Sequence, residues 1–318
     1  MSQPHTFKSG PPLGDAGMAT GFGVLPAPPQ DPPMINYRGY GLNQPFDLRS
    51  RIKLSREKPM IGIFYGAFPH IGLGRAIGQA GYDYVLLDWE HTSFSTETLI
   101  EMIKTIQYAG EGNTAVIVRV PSHDHQYIAW VLDAGASGVI VPHISTPEQA
   151  EAVVKVSRFP PRGERSIPPN ALLWGYNDNA HGGGGMFEVF NRAAVIVQIE
   201  DEIGARNADA IASVDGIDCL MLGPGDLAGS LGLTFATMAQ DPTFQECCKL
   251  VSDAAAKHGL GAMMPSFMPM VKPHLDMGFT LLSVANDGFI LTQGLRKNLV
   301  TAHEDLKAWQ SSHVGEQA

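Results

Sequence analysis

Apolar residues recur along this chain in short unbroken runs separated by amphipathic stretches. Met60-Ile61-Gly62-Ile63-Phe64, Tyr84-Val85-Leu86-Leu87, Ala115-Val116-Ile117-Val118 and Gly138-Val139-Ile140-Val141 are such runs. Ala194-Val195-Ile196-Val197-Gln198-Ile199, Cys219-Leu220-Met221-Leu222, Gly259 to Met264 and Thr280 to Val284 continue the series. Continuous Val/Ile/Leu runs of this length are the pattern of parallel strands buried on both faces. Between them lie helical patterns: Gly72 to Gly81, a stretch opened by Ser95, about Asp124 to Ala134, and one opened by Thr146-Pro147-Glu148. Others run from about Thr243 to His258 and from Gly288 toward Trp309. Ser95 and Thr146 are N-cap residues, and Pro147 suits the first helical position. Roughly eight strands alternating with roughly eight helices predict a (β/α)8 TIM barrel. A doubly wound open sheet is the competing topology, but no Gly-x-Gly-x-x-Gly follows the first strand.

Two stretches depart from the rhythm. Residues 1–47 are rich in Pro and Gly and cannot bury a core of their own. They predict an extended arm, either a disordered tail or a segment whose Tyr37 and Tyr40 pack on a neighbouring subunit, and residues 48–318 form the barrel domain. The segment from Arg158 to Asn191 holds Arg162, Arg165, Trp174, Tyr176 and a run of glycines. It is too long for an ordinary connection and predicts an insertion near the mouth of the site.

Composition narrows the function. A net charge of -10 without a basic stripe argues against a nucleic-acid partner. No apolar run approaches the roughly 20 residues of a membrane helix. Cys219, Cys247 and Cys248 have neither disulfide nor zinc spacing, and no signal-peptide pattern opens the chain. A soluble cytoplasmic protein is expected.

The chemistry concentrates where the apolar runs stop. The predicted strands end in Asp88, Glu90 and His91, in Arg119, in His143, in Gln198 and Glu200, and in Asp226. In a barrel these tips share the C-terminal face, where ligands bind. Glu200 and Asp226 on neighbouring strands are candidate ligands of Mg²⁺, Mn²⁺ or Co²⁺, since oxygen donors without Cys suit hard cations. The alternative is that each merely caps the turn or helix that follows it. Gly225 permits close backbone approach, and the helix start after Asp226 could hold a substrate carboxylate. Arg119 is a candidate partner for a developing oxyanion, or else a structural ion pair. His91 is a candidate base. Asp133 ends a helix, where the dipole disfavours an acid, so a specific partner such as His91 is expected.

With these residues in place, the chain resembles the HpcH/HpaI family of metal-dependent class II pyruvate aldolases. The similar segments are Gly81 to His91, Val118-Arg119-Val120-Pro121, Leu132-Asp133-Ala134-Gly135-Ala136, Gln198-Ile199-Glu200 and Gly223-Pro224-Gly225-Asp226-Leu227, in family order across about residues 58 to 300. The resemblance implies a phosphoenolpyruvate/pyruvate-type barrel whose last helix is swapped between subunits, in a homohexamer built as a trimer of dimers. It implies a divalent metal on Glu200 and Asp226 and a 2-oxo acid substrate contacted by Gln198, Gly225 and Asp88. Arg119 would bind the pyruvate enolate, and His91, oriented by Asp133, would handle the proton. Val120 to Asp124, Val141-Pro142-His143 and Gly163 to Ser166 look closer to the macrophomate synthase branch, which decarboxylates oxaloacetate and adds the enolate to a pyrone. The expected activity is therefore carbon–carbon lysis of 4-hydroxy-2-oxo acids through pyruvate enolate, with oxaloacetate decarboxylation besides. A CoA-ester enzyme of the citrate lyase kind and a non-catalytic binding barrel remain as alternatives.

Overall fold

The structure, a computed structural model, describes residues 47–168 and 190–314. All but the last residue of the predicted arm lies outside them, as do Trp174 and Tyr176. Eight parallel strands close into a barrel in sequence order. They are β1 (Met60–Tyr65), β2 (Tyr84–Asp88), β3 (Ala115–Arg119), β4 (Gly138–Val141), β5 (Ala194–Ile199), β6 (Cys219–Leu222), β7 (Gly261–Pro265) and β8 (Leu281–Asn286). The open-sheet alternative is excluded because β1 pairs with β8 as well as with β2.

Side chains alternate along each strand between the barrel interior and the helical layer. Tyr84, Leu86, Ala115, Ile117, Ile140, Ala194, Ile196, Met221 and Met263 pack inside. Val85, Leu87, Val116, Val118, Val139, Val141, Val195 and Val197 join the second cluster, under the helices. Both faces are apolar, which is why the strands read as unbroken hydrophobic runs. The interior is wedged shut by ring against backbone. A Cβ at Gly62 would come within 2.2 Å of the Tyr84 ring, whose hydroxyl meets Ser283 Oγ at 3.0 Å.

Helix α1 (Leu48–Lys53) precedes the barrel and has no counterpart in the sequence pattern. Asp47 caps it through the Ser50 N–H, and Leu48 and Ile52 are buried in the interior cluster. α2 (Ile71–Gly78), α3 (Thr96–Ala109), α4 (His125–Asp133) and α5 (Pro147–Ser157) follow the first four strands. Gly81, predicted to end α2, lies in the turn beyond it at φ +85. Ser95 caps α3, and Thr146 with Gln149 forms a full capping box on α5. α6 (Glu202–Arg206) and α7 (Ala208–Ala212) follow β5, α8 (Pro224–Ser230) and α9 (Pro242–Lys257) follow β6, and α10 (Val271–Asp276) follows β7.

The last helix, α11 (Asp287–Val314), leaves the barrel after β8. Phe289, Ile290, Leu291, Leu295, Leu299, Val300, Leu306 and Trp309 on it are all exposed in the single chain. Among the described residues no helix is long and apolar enough to cross a membrane. The three cysteines are buried and free.

Helices return antiparallel to the strands, so each helix C-terminus lies at the N-terminal end of the barrel. That bears on two expectations. Asp133, the last residue of α4, sits on the face opposite the strand tips. Within this chain its partner is Arg165 at 2.6 Å. The Arg165 guanidinium is buried between the rings of Phe159 and Phe190, 4.5 and 4.7 Å from their centroids. Burial raises the Asp133 pKa, with Arg165 opposing the shift. The described part of the predicted insertion packs on this same end and not at the mouth. Arg158 donates to the Ala193 carbonyl and to Asp218, the residue just before β6.

Candidate active site

Inward-facing positions at the barrel top carry the polar residues. Asp88 is two residues beyond Leu86 and Arg119 two beyond Ile117, so both point into the mouth. They are register partners on β2 and β3. Arg119 Nε and Nη2 donate to the two Asp88 oxygens at 2.8 and 2.9 Å. The Asp88 carboxylate thus orients the arginine. Glu90 Oε2 lies 3.1 Å from Arg119 Nε, but that N–H is aimed at Asp88. The pair is ionic, and Glu90 Oε2 is left buried without a hydrogen bond. The Phe64 ring centroid lies 5.3 Å from the guanidinium carbon. Burial alone would lower the Arg119 pKa, but Asp88, Glu90 and Glu200 outweigh it and the net shift is upward. Arg119 is therefore a fixed charge, with Nη1 uncommitted to Asp88.

Across the mouth, Gln198 ends the inward column of β5 and donates to Glu200 Oε1. Its own Oε1 is buried with no donor. Glu200 Oε2 accepts from the His143 backbone N–H at 2.8 Å and lies 3.0 Å from His143 Nδ1. Burial raises the Glu200 pKa; His143 pulls it down, while Asp226 and Glu90 push it further up. Gly223 makes room for this arrangement. A Cβ there would stand 2.8 Å from Glu200 Cγ and 2.9 Å from Gln198 Nε2.

Capping does not explain either acid. Asp201, not Glu200, caps α6, and Gly223 is the N-cap residue of α8. α8 begins at Pro224, three residues earlier than expected, so Gly225 and Asp226 lie inside its first turn. The first-turn N–H groups there have no intrahelical acceptor. Asp226 is exposed and feels Glu200 as a like charge.

His91 stands at the rim, with its side chain 65% exposed and Nε2 3.7 Å from Glu90 Oε2. His143 and Glu90 are the site residues that sequence reasoning undervalued. His143 adopts φ +56, an uncommon conformation for a non-glycine residue. That turn aims its ring between Glu200 and Glu90, with Nε2 3.6 Å from Glu90 Oε1. The sequence signal was present in the Pro142-His143 and Asp88-Trp89-Glu90 strand tips. Nothing local showed which way they turn.

Asp88, Glu90 and Glu200 thus gather around the Arg119 guanidinium, and Asp226 adds a further negative charge beside Glu200. Among the described residues no three His, Cys, Asp or Glu side chains converge on one metal position. Glu200 and Asp226 nevertheless form a two-carboxylate oxygen donor set, and Gln198 Oε1 is an orphaned acceptor two residues from Glu200. Excess negative charge, an all-oxygen donor set and an unsatisfied acceptor fit a hard divalent cation that keeps positions open for ligand.

The chain is similar to several known proteins. The 4-hydroxy-2-oxovalerate aldolase of Novosphingobium aromaticivorans is 32% identical over 260 residues, covering 80% of this chain and 92% of that one. The hydroxypyruvate/pyruvate aldolase of Roseobacter denitrificans is 31% identical over 218 residues, 66% of this chain and 80% of the relative. The crystal structure of macrophomate synthase superposes with a TM-score of 0.77 at 29% identity, covering 84% of this chain and 93% of that one. Residues 61–291 match the family described as HpcH/HpaI aldolase/citrate lyase, and the chain belongs to that family of lyases.

Proposed function

We propose that the protein is a divalent-metal-dependent carbon–carbon lyase acting on 2-oxo acids through pyruvate enolate. The observation that carries this is Arg119, locked by Asp88 in a mouth otherwise dominated by carboxylates. A guanidinium held this rigidly is preorganised for an oxyanion that develops during reaction. Glu200 and Asp226 would hold the cation. When bound, it supplies Lewis-acid polarisation of the 2-oxo acid's keto oxygen.

The chain's own residues supply the rest. Arg119 Nη1 faces the enolate oxygen and binds it as charge builds there. In aldol cleavage of a 4-hydroxy-2-oxo acid, the 4-hydroxyl gives its proton to His91. The C3–C4 bond breaks, its electron pair moves into the enolate, and an aldehyde leaves. Protonation at C3 then gives pyruvate. Oxaloacetate reaches the same enolate by losing CO₂. Glu90 stands beside His91 in this chain. Asp133, on the far face, can bear on His91 only from a second copy of the chain. Gln198 and the first-turn N–H groups of Gly225 and Asp226 would meet a substrate carboxylate.

Likeness to macrophomate synthase favours a second reading, in which oxaloacetate is decarboxylated and the enolate passes to a pyrone or other acceptor. A pyruvate-release assay with Mg²⁺, Mn²⁺ or Co²⁺ over a panel of 4-hydroxy-2-oxo acids, with oxaloacetate beside them, separates the two. Aldol cleavage of any panel member supports the first. Decarboxylation alone, with product formation only when a pyrone is added, supports the second.

The reading includes a homo-oligomer, a hexamer as a trimer of dimers with α11 exchanged between subunits. The apolar residues exposed along α11 support it, because a monomer would leave them in water. Light scattering at micromolar concentration should give about six chain masses; a monomer mass refutes it.

A further inference from the structure

Asp287 opens α11, yet its carboxylate does not serve its own helix. The Phe289 N–H is instead capped by Asn286 Oδ1 at 3.1 Å. Asp287, only 6% exposed, reaches across to the loop after β1. Its Oδ1 accepts from the Gly66 and Ala67 N–H groups, both at 3.1 Å, and its Oδ2 from the Phe68 N–H at 3.0 Å. Three successive backbone N–H groups around one anion form a nest, here filled by an internal carboxylate. Helix and loop are also in direct contact, since a Cβ at Gly288 would stand 2.8 Å from Ala67 Cβ.

The clamped loop lies on the catalytic arginine's support. A Cβ at Gly66 would meet Asp88 Cβ at 3.1 Å and Thr92 Cγ2 at 2.7 Å. Thr92 in turn donates its hydroxyl to the Asp88 carbonyl. Two residues before Gly66, Phe64 lies against the guanidinium of Arg119. Both the partner of Arg119 and the ring beside it are therefore set by the position of residues 64–68.

We propose that Asp287 is a positioning residue for Arg119, acting through the loop 66–68 and Asp88. It ties the root of the exposed apolar helix to the arginine on which the proposed enolate chemistry rests. Contacts made by α11 would in this way bear on the site without touching substrate.

The test uses the full chain in two arms. Hydrogen exchange is measured on the wild type, on Asp287→Asn and on Gly288→Ala. The second variant pushes the loop by a methyl group and keeps the carboxylate. Exchange at residues 66–68 should accelerate on the order of 10-fold in both variants, and the acceleration should extend to residues 88–92 but not to 223–226. In the second arm, proton exchange at C3 of pyruvate is followed with Mg²⁺. The kcat should fall about 10- to 10²-fold, with Mg²⁺ affinity by calorimetry unchanged and the loss absent in an Arg119→Lys background. Acceleration confined to residues 66–68 overturns the proposal and leaves Asp287 a simple clip. Equal losses with and without Arg119 overturn it too. A wild type inactive toward pyruvate would refute the enolate function, while the exchange arm would still decide the coupling.

Discussion

The two ends of the barrel treat buried charge in opposite ways. At the N-terminal end, Asp218 accepts from Arg49 at 2.9 Å, from Arg158 at 3.0 Å and from the Val195 N–H at 2.8 Å. Burial pulls the Arg158 pKa down to about 10, and Asp218 opposes the shift. Asp133 has Arg165 held between two rings, with its Nε buried and lacking a hydrogen bond. At the C-terminal end, Asp88, Glu90 and Glu200 share Arg119, and Asp226 acts on Glu200 as a like charge. There Glu90 Oε2 and Gln198 Oε1 go unpartnered, and His143 holds a left-handed backbone. One end matches its charges, as stability requires. The other leaves a deficit that a cation and an anionic substrate together would fill. Unsatisfied groups of this kind are tolerated where they serve a site.

Substitutions at the two ends should therefore separate activity from stability. Glu200→Gln or Asp226→Asn should abolish metal binding in calorimetry and lower the lyase rate by about 10³-fold or more, several kcal/mol of charge stabilisation being lost. The melting temperature without metal should barely move for Asp226→Asn, because that side chain is exposed. Metal affinity of the wild type should also fall on acidification. Glu200 must be ionised to bind, and its raised pKa makes it take up a proton at higher pH than an ordinary glutamate. Unchanged affinity in either variant would refute the metal assignment.

Asp218→Ala should do the reverse. It strands the buried Arg158 and should cost about 3–5 kcal/mol in denaturant unfolding, with kcat per folded molecule intact. A large loss of kcat at wild-type stability would erase the contrast between the ends.

Arg119→Ala should slow oxaloacetate decarboxylation and aldol cleavage alike, by about 10²–10³-fold, since both pass through one oxyanion. His91→Ala should instead damage aldol cleavage far more, because CO₂ leaves without removal of a hydroxyl proton. Equal losses in both reactions would reassign His91 to a structural part. The smallest effect belongs to a helix cap outside the charged cluster. Thr146→Ala breaks the α5 capping box and should cost about 1 kcal/mol with no change in rate.

The same contrast governs what was legible in the sequence. Strand tips announce themselves because an apolar run ends in a charge, so Asp88, Arg119, Gln198, Glu200 and Asp226 could be placed by counting along β2, β3, β5 and β6. Partners brought together by the fold could not. Asp133 signals an unusual acid at a helix end, but Arg165 lies 32 residues away, beyond β4 and α5. Asp218 sits inside an apolar stretch with nothing local to mark it. α1 is too short for periodicity, with Leu48 and Ile52 its buried apolar pair. Glu90 and His143 were visible as strand-tip residues, but their convergence on Glu200 depends on one backbone turn.

Proton exchange at C3 of pyruvate in D₂O, followed by NMR, tests the proposed chemistry without needing the aldehyde or acceptor. Exchange should require added Mg²⁺, Mn²⁺ or Co²⁺, stop in Asp226→Asn and fall about 10²–10³-fold in Arg119→Ala. Exchange that proceeds unchanged in chelator, or no exchange with any of the three metals, would contradict a metal-dependent enolate lyase.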